Sequence, residues 1–241
     1  MVTRRPAAGG RGPVAWRPVT QTLAVRHPVP TLVRNLDVAA KFGLVLMLGL
    51  TLAFPALGNM EDKGAGARAI GYPLLAFTVP VVWSLFWRER ASFPWVADLL
   101  VTITCFTDTL GNRMDLYDTI VWFDDWMHVM NTGLLAAAFV WLTLPRDAGF
   151  GRVLERSLAF GATAAIAWEV AEFFAFISGS TEREFAYADT LGDLALGTFG
   201  AVVAAVAIRG LWSRGRLADT APQLEPVARA GSPVQPSPLT G

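Results

Sequence analysis

The 241-residue chain contains one cysteine and two histidines, and only 17% of its residues are charged. Cys105 alone can build neither an intrachain disulfide nor a cysteine-based zinc site, so stability must come from packing. Twenty Lys and Arg offset twenty Asp and Glu, which removes the basic surplus that holds nucleic-acid phosphates. Binding to nucleic acid is therefore excluded as a main role. G-x-S-x-G and H-E-x-x-H are both missing, so no ready-made nucleophile or zincin motif is in place.

What the chain has in quantity is apolar length: 53% hydrophobic residues and a mean hydropathy of +0.42. Six apolar segments, at roughly 38–57, 68–87, 94–111, 125–145, 156–178 and 189–212, approach the ~20 residues that a helix needs to cross ~30 Å of hydrocarbon. The third carries Asp98 and Asp108, each costly against lipid, so five spans is the fallback count. Arginines test the count independently, because basic residues accumulate in cytoplasmic loops. They mark the N-terminal tail, then Arg88 and Arg90, then Arg146, Arg152 and Arg156, then Arg209, Arg214 and Arg216. Those are alternate connections. The expectation is an all-α, polytopic transmembrane bundle of about six spanning helices with both termini cytoplasmic, a multi-pass protein of the inner (cytoplasmic) membrane.

Flanking this core, residues 1–36 read as a disordered basic tail and 214–241 as a disordered Pro-rich tail, leaving 37–213 as the membrane domain. Arg4 and Arg5 lie too far before the first apolar run for a compact export signal. Pro73 and Pro80 should kink the second segment, since each lacks an N–H. Trp122, Phe123 and Trp126 suit the headgroup level and anchor the outer end of the fourth.

Ionisable residues then recur at helical spacing near the outer ends of the last three segments. Asp124 and Asp125 precede His128 by four and three residues, and Asn131 and Thr132 continue that face. Glu169 and Glu172 are three apart and share a face with Ala162 and Ala165; Asp189 and Asp193 are four apart above Gly197, Gly200 and Ala204. Small residues on those faces let helices come close. With an exit near Ser178, Glu169 would lie ~13 Å inside the membrane, beyond reach of the surface. Carboxylates gathered in a low dielectric cannot all ionise unaided. Either shared protons or a divalent cation must neutralise them, and the oxygen and imidazole donors suit Mn, Fe, Zn or Mg. The candidate metal ligands are Asp124, His128, Glu169, Glu172, Asp189 and Asp193. Asp115, Asp118, Glu182 and Glu184 read as ordinary loop acids, Asp108 and Asn112 either join the site or end their helix, and Trp168 reads as packing.

Taken in order, Asp108-Thr-Leu-Gly-Asn112, Asp124-x-x-x-His128, Trp168-Glu169-x-x-Glu172, and Asp189-Thr190-x-x-Asp193 followed by Gly200-Ala201 resemble the YjdF-like bacterial inner-membrane proteins. A more distant similarity is to VanZ-like membrane proteins. The resemblance covers about 108–201 and departs from the family pattern at Asp125 and Thr132. It implies a polytopic membrane protein and no particular reaction.

Three functions are compatible with these residues. One is an outward-facing divalent-cation site whose open position would activate water against an ester or phosphoester of a lipid or envelope precursor. The second is a carrier coupling proton movement to a cation or small solute, and the third is a structural or accessory role. The lipid bilayer is the partner common to all three.

Overall fold

A computed structural model describes residues 27–54, 60, 63–89, 91–175, 177–179, 181–184 and 186–217. The tails expected over 1–26 and 218–241 lie outside the described residues, as do Glu61, Asp62, Arg90 and the side chain of Glu182. Helices make up the ordered structure: α1 Thr31–Ala53, α2 Ala65–Ala76, α3 Thr78–Val82, α4 Trp95–Arg113, the single turn α5 Leu116–Thr119, α6 Phe123–Thr143, α7 Phe150–Ala175 and α8 Ala186–Ser213. No strand occurs among the described residues.

Each of the six apolar segments corresponds to a helix or, for the second, to a broken one. α1, Phe150–Gly179 and α8 are long and apolar enough to cross a membrane. A fourth span results if α2 and the helix Thr78–Trp87, bent by 42° from it, count as one. α4 and α6 do not meet that criterion, because their buried faces carry the polar groups of the sites described below. The break falls at Phe77, just ahead of Pro80, whose missing N–H leaves the carbonyl of Ala76 without its helical partner. Thr78 Oγ1 donates to Leu74 O at 2.6 Å, satisfying one carbonyl at the bend. A π-helical turn, Trp83–Trp87, follows. α1 opens at Thr31, directly after Pro30 and so within the stretch read as basic tail, because proline's fixed φ suits the start of a helix.

Helix directions follow from the residues that meet. α6 and α8 run parallel, with His128 beside Asp193 at one end and Trp141 against Trp212, ring centroids 6.0 Å apart, at the other. α7 lies antiparallel to both: Glu169 faces His128, while Ser157 Oγ donates 2.7 Å to Ala201 O. Its buried line is Val153, Ser157, Gly161, Ala165 and Glu169, every fourth residue. α1 and α4 are parallel, joined by Lys41 and Asp98 at one end and by Arg113 and Thr51 at the other. The apolar core at the end remote from the site gathers Val140, Trp141, Val153, Ile208 and Trp212.

Close approach of α8 to α6 and to α7 depends on one position without a side chain at each contact. A Cβ on Gly200 would stand 2.1 Å from the carbonyl oxygen of Val129, and one on Gly161 would stand 2.5 Å from the Ala201 Cβ. Gly200→Ala should therefore separate α6 from α8 and destabilise the protein by about 1–3 kcal/mol. Gly49→Ala, where a Cβ meets nothing within 4 Å, should not. Thermal unfolding of the two variants in detergent checks this; equal midpoints would contradict the packing.

Candidate functional site

The start of α6 turns Asp124 and His128 to one face, four residues apart, and α7 and α8 bring acids to the same point. His128 Nε2 lies 3.5 Å from Asp124 Oδ1 and 3.5 Å from Asp193 Oδ1, and Nδ1 lies 3.7 Å from Glu169 Oε1. One imidazole is thus flanked by carboxylates on both nitrogens, from three helices. Ligand-capable atoms of Asp124, His128 and Asp193 fall within 4.8 Å of one another, and so do those of His128, Glu169 and Glu172.

Burial differs across the ring. The Asp124 side chain is 45% exposed, whereas those of His128, Asp193 and Glu169 are 9%, 6% and 6% exposed. Glu172 is half-buried. Glu169 Oε1 is inaccessible to solvent and accepts no hydrogen bond, and neither does the buried Oδ1 of Asn131, one turn further along α6. Buried acceptors of this kind are rare because each forfeits the hydration it had in water. α7 ends at Ala175, earlier than the expected exit near Ser178, so Glu169 lies ~9 Å from the helix end rather than ~13 Å.

Five of the six expected ligands meet here: Asp124, His128, Glu169, Glu172 and Asp193. The sixth, Asp189, sits one turn outward on α8 and is exposed, and it belongs to neither ligand group. Asp125 is likewise exposed, in the first turn of α6, and belongs to neither ligand group. Thr132 is buried against Gly197 and Gly161, where it packs the three helices beneath the imidazole.

Asp108 and Asn112 lie in the last turns of α4, which ends at Arg113, and they form a network separate from His128. Asp108 pairs with Arg68 Nε at 3.2 Å, accepts from Tyr117 OH at 2.7 Å and also accepts from Tyr72 OH. Asn112 Nδ2 donates to the Asp108 carbonyl at 3.0 Å. Trp168 stacks on Tyr72 with centroids 6.2 Å apart, which places it as the packing contact between this network and α7. Asp115 and Asp118, read as loop acids, both pair with Lys63.

The sequence reading missed a third polar cluster, at the opposite end of α4. Lys41 Nζ lies 2.7 Å from Asp37 Oδ1 and 2.9 Å from Asp98 Oδ1, and it donates 2.6 Å to Thr102 Oγ1. The Thr102 hydroxyl lies 2.7 Å from the same Asp37 oxygen. The i,i+4 pair Asp37 and Lys41 is the signal that could have revealed it; starting the first apolar segment at residue 38 cut that pair. Lys41→Met should destabilise the protein by about 3–5 kcal/mol, because it leaves two carboxylates buried without their cation. Adding Asp98→Asn should recover part of that loss. Unfolding midpoints of the single and double variants check the coupling, and additive losses would contradict it.

A family model with the description "Predicted membrane protein (DUF2238)" matches residues 42–214. That stretch contains all three polar clusters except Asp37 and Lys41. No curated protein matches the chain, and no solved structure matches it.

Proposed function

The chain belongs to the DUF2238 family of predicted membrane proteins, and we propose that it holds a divalent cation at the outer end of α6, α7 and α8. The observation that carries this reading is the spacing of donors around His128. A charge-assisted hydrogen bond would close to about 2.7–2.9 Å. Two ligands each ~2.1 Å from a tetrahedral ion stand instead ~3.4 Å apart. The Nε2 contacts to Asp124 and Asp193, both 3.5 Å, match the second distance. Three protein donors also leave coordination positions free, and Asp124 opens that side to the exterior.

In this reading the protein is a multi-pass protein of the inner membrane, with six spans, α4 and α6 completing the count, and with both termini cytoplasmic. The ordered motifs in 108–201 support placing it with YjdF-like proteins and, more distantly, VanZ-like ones. A cation with a free position would polarise bound water and direct it at an ester or phosphoester of a lipid or envelope precursor, with Asp124, His128 and Asp193 holding the ion. Exposed Val121, Trp122 and Trp126 beside Asp124 support a lipid substrate, because such side chains favour the headgroup level.

One observation favours the carrier reading instead. Lys41, Asp37, Asp98 and Thr102 supply buried ionisable groups at the inner end, which a two-sided pathway requires. They lie on α1 and α4 rather than beneath His128, so the cation site stands as the primary conclusion.

Elemental analysis of detergent-purified protein tests it. Wild type should carry bound Zn or Mn, and His128→Ala and Asp193→Asn should lose it while remaining folded. Metal-free wild type after dialysis against micromolar Zn and Mn would contradict the proposal.

A further inference from the structure

The two sides of the His128 ring are not equivalent, and the difference assigns separate roles to residues that the sequence places together as ligands. On the Nε2 side stand Asp124 and Asp193, one of them open to the exterior. On the Nδ1 side stands Glu169, whose facing oxygen is sealed from solvent and accepts no hydrogen bond. A neutral imidazole has one lone pair and one N–H, so it can ligate through only one nitrogen at a time. The other must find an acceptor, and a metal-bound histidine commonly gives that proton to a carboxylate.

We infer that Glu169 is a positioning residue: it takes the Nδ1–H of His128, fixes the tautomer with the lone pair on Nε2, and so aims that nitrogen at an ion held with Asp124 and Asp193. This rests on the cation reading above and narrows it, since Glu169 then touches the ion only through the imidazole. Charge is balanced at the ion itself, because a divalent cation offsets the Asp124 and Asp193 carboxylates with the imidazole neutral. The orphaned Glu169 oxygen gains the partner it lacks once Nδ1 carries the proton and the 3.7 Å gap closes. Glu172, three residues on along α7 and half-buried, has a carboxylate oxygen within 4.8 Å of a His128 ring nitrogen and of a Glu169 oxygen. Tautomer control would make the outer site selective for cations that accept imidazole nitrogen.

The chain's two histidines make the test direct. Protein labelled with ¹⁵N-histidine gives ring signals from His27 and His128 alone, and His27→Ala identifies those of His128. Upon Zn binding to otherwise intact protein, His128 should show a protonated Nδ1 and a zinc-shifted Nε2. Zn affinity should fall about 10–100-fold in Glu169→Leu. It should recover partly in Glu169→Gln, whose carbonyl still accepts the Nδ1 proton, with one ion bound in each. A protonated Nε2, two zinc ions per wild-type chain, complete loss of zinc in Glu169→Gln, or unchanged affinity in Glu169→Leu would each overturn the inference while leaving the cation site standing. Wild type that binds no zinc and no manganese defeats the cation site itself, and this inference with it.

Discussion

An ionised group enclosed by apolar helices needs a partner of opposite charge, and the described part of this protein is organised around that requirement. Towards the N-terminal ends of α1 and α4, Lys41 lies between two aspartates. Where the N-terminal part of α2 meets the C-terminal part of α4, Arg68 and two tyrosines surround Asp108. Both clusters contain their own cation. The third differs: Asp124, Asp193 and Glu169 surround His128, with Glu172 close by, and no Lys or Arg is paired to any of the four acids among the contacts of the described residues. Apart from the longer-range charge of Arg68 on Glu172, its counter-charge comes from outside the chain or from protons.

The same three helices that carry this unbalanced charge pack most closely. Gly200 admits the backbone of Val129, Gly161 admits Ala201, and Thr132 fills the space beneath the imidazole. Such contacts leave little freedom for His128, Asp193 and Glu169 to drift apart, and a donor set held in place is what an ion site needs. Packing and chemistry are therefore two uses of one sequence pattern, small residues alternating with acids along α7 and α8. The network around Asp108 supports this arrangement from the side, through the stack of Tyr72 on Trp168, the residue next to Glu169.

Much of this was legible in the sequence. The apolar segments located the helices, and i,i+3 and i,i+4 spacing of His128, Glu169 and Asp193 with their neighbours identified the converging faces. Pro80 located the bend. What spacing along one helix could not give was depth at the first turn: Asp189 and Asp193 share a face, yet the end of α8 leaves Asp189 exposed while Asp193 is buried. Nor could it pair helices distant in sequence, so Arg68 and Tyr117 were not connected to Asp108, and the reading of Asp108 and Asn112 stayed divided. Lys41 was overlooked for a simpler reason. An apolar segment that begins at residue 38 leaves out Asp37 and with it the i,i+4 pair that makes a buried lysine tolerable.

The central claim is that an ion where α6, α7 and α8 converge is bound through one imidazole nitrogen and carboxylate oxygens. X-ray absorption at the zinc edge of the zinc-loaded protein addresses it most directly. The account predicts a shell of nitrogen and oxygen at ~2.0–2.2 Å with the outer-shell scattering of a single imidazole. A spectrum with no imidazole contribution, or with only the symmetric oxygen shell of a hydrated ion, would contradict it.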